Sequence, residues 1–305
     1  PIMVPDRISL QIKPSMKRIL AALLVFSFVL TPNAADKKKP ETAKTKPAAE
    51  PKWENTRNYK VVTPKNYDPK KKYPFILALH GFGSSGPGHT RFFPLANLSE
   101  KHGFLYCFPS GLDRSWNATN VCCDFTNKHD DSAYLRGLIL WALKEYSIDE
   151  KKVYVTGLSN GGFMSYRMAQ DHADLITAIV PIAGVGFKKW PKQPKNPVSV
   201  LHIHGTKDSV IKWKGGWIVG REYPSAKENF ANWRKFNKCN KEVDVSKVKI
   251  DLARNVAGKE TTVTRFTNKK GTVTTELWEG AFGHVTPPSK EARERIIKWM
   301  LARSK

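Results

Sequence analysis

The chain has 305 residues, 40% of them hydrophobic and 11% aromatic, which excludes a disordered or fibrous protein and leaves room for one large domain or two small ones. Four cysteines are too few for a disulfide scaffold. The formal charge of +24 asks for an anionic partner or a soluble basic surface, and the absence of any nucleic-acid recognition motif argues against nucleic acid.

Pro1 to Ser15 read as an extension ahead of a start at Met16. From Met16 the order is Lys17 and Arg18, an apolar run from Ile19 to Leu30, then small residues to Ala35. That is the layout of a secretory leader, and its apolar run is short for a membrane span. Export is therefore expected, with no stable anchor once the leader is removed. Residues 36–52, "DKKKPETAKTKPAAEPK", carry no apolar period and read as an extended linker. The basic excess persists beyond it, with 41 Lys and Arg against 23 Asp and Glu in residues 53–305.

Residues 53–305 form the expected catalytic domain. Short apolar runs recur at Tyr73–Gly81, Phe104–Pro109, Lys152–Gly157, Leu175–Gly184 and Val198–Gly205, each of a kind buried on both faces of a sheet. Between and after them, helical periodicity appears at Asp131–Tyr146, Ser159–His172, Ala226–Lys238 and Glu291–Ala302. Alternating strands and helices predict an α/β domain, a mostly parallel sheet with helices on both faces. Phe187 to Pro197 are Lys/Pro-rich and too short for a large lid.

"VYVTGLSNGGFMSYRMAQ" reads as strand, sharp turn and helix with Ser159 at the turn, the setting of a nucleophile elbow. A serine nucleophile needs a base and an orienting acid. Asp208 follows the strand in "LHIHGTKDSV", and His284 follows the strand-like "GTVTTELW" in a Gly/Pro loop. The order Ser, Asp, His is the one this fold uses, and all three lie beyond strand ends, so they converge at one edge of the sheet. Asp130 and Asp131 fit better as N-caps of the next helix, Glu279 as a strand-end residue, and His204 as structural. The oxyanion hole is expected from the backbone N–H groups of Asn160 and of Phe82 in "LHGFGSSG", with Gly83 as the alternative. Trp116, Trp213 and Trp217 are candidate substrate walls, since an indole stacks an aromatic acyl group or a sugar ring. No phosphate-loop or metal-ligand spacing appears, so neither metal nor cofactor is expected. Cys239 is expected to bridge to Cys122 or Cys123, with Cys107 taking the other; sequence leaves the pairing among the four open.

On "LHGFGSSG", "SWNATNVCC", "DDSAYLRGLI", "KKVYVTGLSNGGFMSYRMA", "LHIHGTKDSVI", "NWRKFNKC" and "GHVTPP", the chain from about Asn58 to Met300 resembles secreted α/β-hydrolases of the polyhydroxybutyrate-depolymerase and feruloyl-esterase group. The resemblance implies the α/β-hydrolase fold with a minimal lid and a serine esterase acting on ester-bearing plant cell-wall polysaccharide, oligosaccharide or polyester. It also implies that Ser159, Asp208 and His284 are the triad. A serine peptidase and a catalytically silent glycan-binding protein on the same fold are the competing readings.

Overall fold

The computed structural model describes residues 57–123 and 129–305. The leader, the linker and Trp53 lie outside the described residues.

Five apolar runs and the later "TTELWEG" become the six parallel strands of a sheet. They are β2 (Tyr73–Leu79), β3 (Leu105–Cys107), β4 (Ile148–Leu158), β5 (Ala178–Ile182), β6 (Ser199–Gly205) and β12 (Thr274–Gly280), in the spatial order β3-β2-β4-β5-β6-β12. β1 (Val61–Val62) adds antiparallel to β3 at one edge. At the other edge β11 (Thr261–Thr267) pairs antiparallel with β12 and carries β9 (Lys241–Val243) and β10 (Lys249–Ile250). β7 (Gly216–Ile218) and β8 (Arg221–Tyr223) form a separate hairpin.

Strand pleating sends successive side chains to opposite faces, so each central strand feeds two cores. Phe75, Leu77, Leu79, Val153, Val155 and Val200 lie on one face, against α3 (Asp131–Glu145), α4 (Asn160–Asp171) and Trp233 of α5 (Ala226–Phe236). Ile76, Ala78, Tyr154, Leu201 and Ile203 lie on the other, against Ile296, Ile297 and Met300 of α6 (Lys290–Leu301). The same core takes Phe93 and Leu95, between the short helices α1 (Gly86–Phe92) and α2 (Ala96–His102). Each such Leu, Ile or Phe contributes about 1.5–3 kcal/mol on burial, which is why runs apolar on both faces require helices on both.

α3, α5 and α6 each start on a side-chain cap. Asp130 accepts from Ala133 N–H at 3.0 Å, Ser225 from Glu228 N–H at 3.0 Å and Ser289 from Ala292 N–H at 3.0 Å. Asp131, expected as a second cap, does something else. It is buried, pairs with Arg57 and accepts Asn117 N–H at 2.5 Å.

The cysteines depart from expectation. Cys122 is bonded to its neighbour Cys123, while Cys107 and Cys239 are free and buried. Cys107 and Cys239 belong to separate apolar clusters, Cys239 packing with Phe230, Phe266 and Leu277 beyond α5. Burial pushes the Cys107 thiol up to about 12. Among the described residues no helix is long and apolar enough to cross a membrane.

Candidate active site

β4 ends at Leu158 and α4 begins at Asn160, leaving one residue, Ser159, for the turn between them. Ser159 adopts φ 54° and ψ −117°, a conformation costly for a residue with a side chain. The glycines around it are there for space. A Cβ on Gly161 would fall on the carbonyl oxygen of Leu79 in β2, and one on Gly157 would meet Gly161 at 2.5 Å. Small residues thus let the strand, the turn and the helix approach closely enough to hold Ser159 above the sheet.

Asp208 lies three residues beyond β6 and is buried. Its Oδ1 accepts the backbone N–H groups of Val210 at 2.9 Å and Ile211 at 2.8 Å, which fixes the carboxylate. Its loop is tied to the loop after β12: Thr206 N–H donates to Gly280 O at 2.8 Å and Lys207 N–H to Phe282 O at 3.2 Å. That second loop presents His284. The structure brings the three residues into one hydrogen-bonded chain, with His284 Nδ1 2.8 Å from Asp208 Oδ2 and His284 Nε2 2.9 Å from Ser159 Oγ. A carboxylate only accepts, so Nδ1 carries the hydrogen and Nε2 presents a lone pair to the serine hydroxyl. This arrangement can draw a proton from Ser159 while Asp208 holds the imidazole.

Behind the acid runs a second chain that the sequence suggested only as a structural His204. Tyr166 of α4 donates its hydroxyl to His202 Nδ1 at 2.7 Å, His202 Nε2 faces His204 Nδ1 at 3.3 Å, and His204 Nε2 donates to Ile211 O at 2.7 Å. Because Ile211 O accepts only, the hydrogens of the whole chain are set in one direction with both imidazoles neutral. Burial depresses both histidines below the usual range. Since Ile211 N–H in turn serves Asp208, the chain fixes the turn that holds the acid.

Of the two oxyanion donors expected, Asn160 opens α4 directly after Ser159. Gly81 lies beside Ser159, a Cβ built on it standing 3.7 Å from the Ser159 Cβ, and Phe82 follows it in the loop after β2. Gly83, the alternative, is ruled out by its N–H, which already donates to Arg114 O at 2.8 Å. The next loop residues turn away into α1, where Ser85 caps Gly88 N–H at 3.3 Å.

The tryptophans divide. Trp116 is completely buried and its Nε1–H is taken by His80 O at 3.0 Å, so the expectation that it walls an open cleft is corrected. Trp213 is half-buried, edge-on to His204 at 5.8 Å, and packs on Phe230, Cys239, Phe266 and Leu277. Trp217, on β7, is 69% exposed, the most open of the three. Sequence reading missed Val210 and Val285, exposed apolar neighbours of Asp208 and His284; exposure of an isolated valine has no periodic signature.

No protein-family model matches the chain. The acetyl xylan esterase from Aspergillus awamori superposes over 80% of this chain and 94% of its own with a TM-score of 0.56 at 17% identity. The fold is that of the α/β-hydrolases. In sequence, this chain is similar to acetylxylan esterase A of Aspergillus ficuum, 33% identical over 112 residues that make up 36% of this chain and 37% of that protein. It is also similar to feruloyl esterase B of Piromyces equi, 27% identical over 192 residues, 59% of this chain and 35% of that protein. The chain therefore spans little more than a third of the length of these curated relatives. They match the resemblance to esterases read from the motifs.

Proposed function

We propose that the protein is a carboxylic ester hydrolase that uses Ser159 as nucleophile, His284 as general base and acid, and Asp208 as orienting acid. The observation that carries this reading is the chain Asp208–His284–Ser159 at 2.8 and 2.9 Å, ending on a serine held in a strained turn. Ser159 Oγ attacks the ester carbonyl as its proton passes to His284 Nε2. The oxyanion that forms accepts from the Asn160 and Phe82 N–H groups, and the α4 N-terminus favours its charge. His284 then protonates the leaving alcohol, and a water activated by the same imidazole releases the acid from Ser159.

Names of the similar proteins and the exposed Trp217 favour acetyl or feruloyl esters on plant cell-wall polysaccharide. A second reading, a polyester depolymerase, draws on the exposed apolar side chains of Phe82, Val210 and Val285 in loops that carry site residues, and of Trp217 on β7. Export to an oxidising compartment is proposed with either, supported by the leader-like sequence at Met16–Ala35 and the Cys122–Cys123 bond.

Steady-state hydrolysis of p-nitrophenyl acetate tests the reading. Ser159→Ala is expected to lower kcat at least about 1,000-fold; equal rates would end it. Methyl ferulate, acetylated xylan and polyhydroxybutyrate, assayed side by side, separate the two substrate classes, and Trp217→Ala is expected to raise KM for the ferulate more than for acetyl esters.

A further inference from the structure

The two oxyanion donors sit on different elements. Phe82 belongs to the loop after β2, and Asn160 opens α4 after β4. Something must fix their separation, because an oxyanion is stabilised only by donors about 2.7–3.1 Å from the place where it forms. The segment from Gly111 to Trp116 touches both.

On the Phe82 side, Trp116 Nε1–H donates to His80 O at 3.0 Å and the indole packs on the His80 ring with centroids 4.8 Å apart. Gly111 N–H donates to His80 Nε2 at 2.9 Å, and Arg114 O accepts Gly83 N–H at 2.8 Å. His80 and Gly83 bracket Phe82, so the loop is pinned on each side of the donor. On the Asn160 side, the amide side chain grips the backbone of Trp116 twice: Trp116 N–H donates to Asn160 Oδ1 at 2.7 Å and Asn160 Nδ2 donates to Trp116 O at 2.9 Å. The segment is itself anchored beyond Trp116. Asp131 accepts Asn117 N–H at 2.5 Å, and Arg167 of α4 donates to Asn117 O at 2.9 Å.

We propose that Trp116 is a positioning residue that spaces the Phe82 and Asn160 N–H groups, its indole holding one donor's loop and its backbone held by the other donor's side chain. The inference rests on the esterase reading above. A tryptophan that served packing alone would need only its ring. Here the indole N–H has a buried acceptor two residues before Phe82, and the backbone of the same residue meets the side chain of the second donor.

Trp116→Phe keeps an aromatic ring and removes the N–H. Expected is a fall in kcat of about 10- to 100-fold on p-nitrophenyl acetate, the range for a displaced oxyanion donor, with KM changed less than about 2-fold. Affinity for a trifluoromethyl ketone, whose serine adduct carries the tetrahedral oxyanion, is expected to fall by the same factor as kcat/KM. Asn160→Ala cuts both bonds to the Trp116 backbone while keeping its own N–H, and is expected to show the same split if Trp116→Phe fails to fold. Lower thermal stability with kcat per folded molecule and ketone affinity at wild-type values would overturn the positioning role. Ser159→Ala, run alongside, separates the two levels: hydrolysis that survives it removes the esterase reading and the positioning role together. A Ser159-dependent wild type with unaffected Trp116→Phe and Asn160→Ala removes the positioning role alone.

Discussion

At the scale of single residues, Ser159 shows how closely the proposed chemistry and the backbone are joined. Its φ of 54° is affordable only because Gly157 and Gly161 leave room for β2 and the α4 start to pack against the turn. Gly161→Ala places a methyl group on Leu79 O, backbone that cannot swing aside as a side chain would. We expect it to cost about 2 kcal/mol or more of stability and to displace Ser159, which thermal melts and p-nitrophenyl acetate kinetics would register together. A variant as stable and as active as wild type would show that the close approach is not needed. The G-x-S-x-G pattern was legible because each of its residues answers a local requirement of the turn. Asp208 and His284 were legible for a related reason, each standing just past a strand. Trp116 was misread, since an indole in a loop looks alike in sequence whether it faces solvent or fills the space between His80 and Asn160. The bond between adjacent Cys122 and Cys123 was also missed, because expectation went to partners distant in sequence.

At the scale of elements, the parallel strands and the four longer helices were legible, and the peripheral elements were not. β7 to β10 have two or three residues each, too few to show alternation. α1 begins Gly-Pro-Gly and spans seven residues, without the length for a helical period or the propensity for a helix. The β7–β8 hairpin illustrates what such short elements contain. Its turn residues Val219 and Gly220 have φ of 46° and 72°, as the primed hairpin turns require. A β-branched valine is strained there, whereas asparagine is at home. Val219 is exposed, so little packing is lost on replacing it. Val219→Asn is expected to stabilise the protein by about 0.5–1 kcal/mol, read as a higher denaturant midpoint; a lower midpoint would mean that the valine makes contacts that outweigh its backbone strain. The hairpin bears Trp217, and Arg221 Nη1 donates to Asn120 O at 2.6 Å, four residues beyond Trp116.

At the scale of the molecule, buried histidines are expected to contribute to the response to acid. His89 is completely enclosed near Phe92 and Phe108, and burial, with the neighbouring His80 adding to it, lowers it to about 3. His80, His202 and His204 are depressed for the same reason, burial. The unfolded chain protonates these groups below about pH 6.5 while the native state refuses the proton, so stability is fully present above that pH. It is lost as pH falls from about 6.5 toward the folded values, near 3 for His89. Denaturant melts across pH are expected to show this decline, and His89→Phe to make it shallower by about one proton between pH 4 and 6. An unchanged slope would place His89 in a more accessible setting than the structure gives it. Such a dependence is not legible in sequence, where the burial of His80, His89 and His202 leaves no mark.

The most direct measurement of the central claim is covalent. A fluorophosphonate ester reacts with an activated serine and leaves an adduct that peptide mass mapping locates. A single adduct on Ser159 is expected, absent from Ser159→Ala and formed far more slowly by His284→Ala, with hydrolysis of p-nitrophenyl acetate lost in proportion to labelling. An unlabelled Ser159, or ester hydrolysis undiminished after its complete labelling, would contradict it.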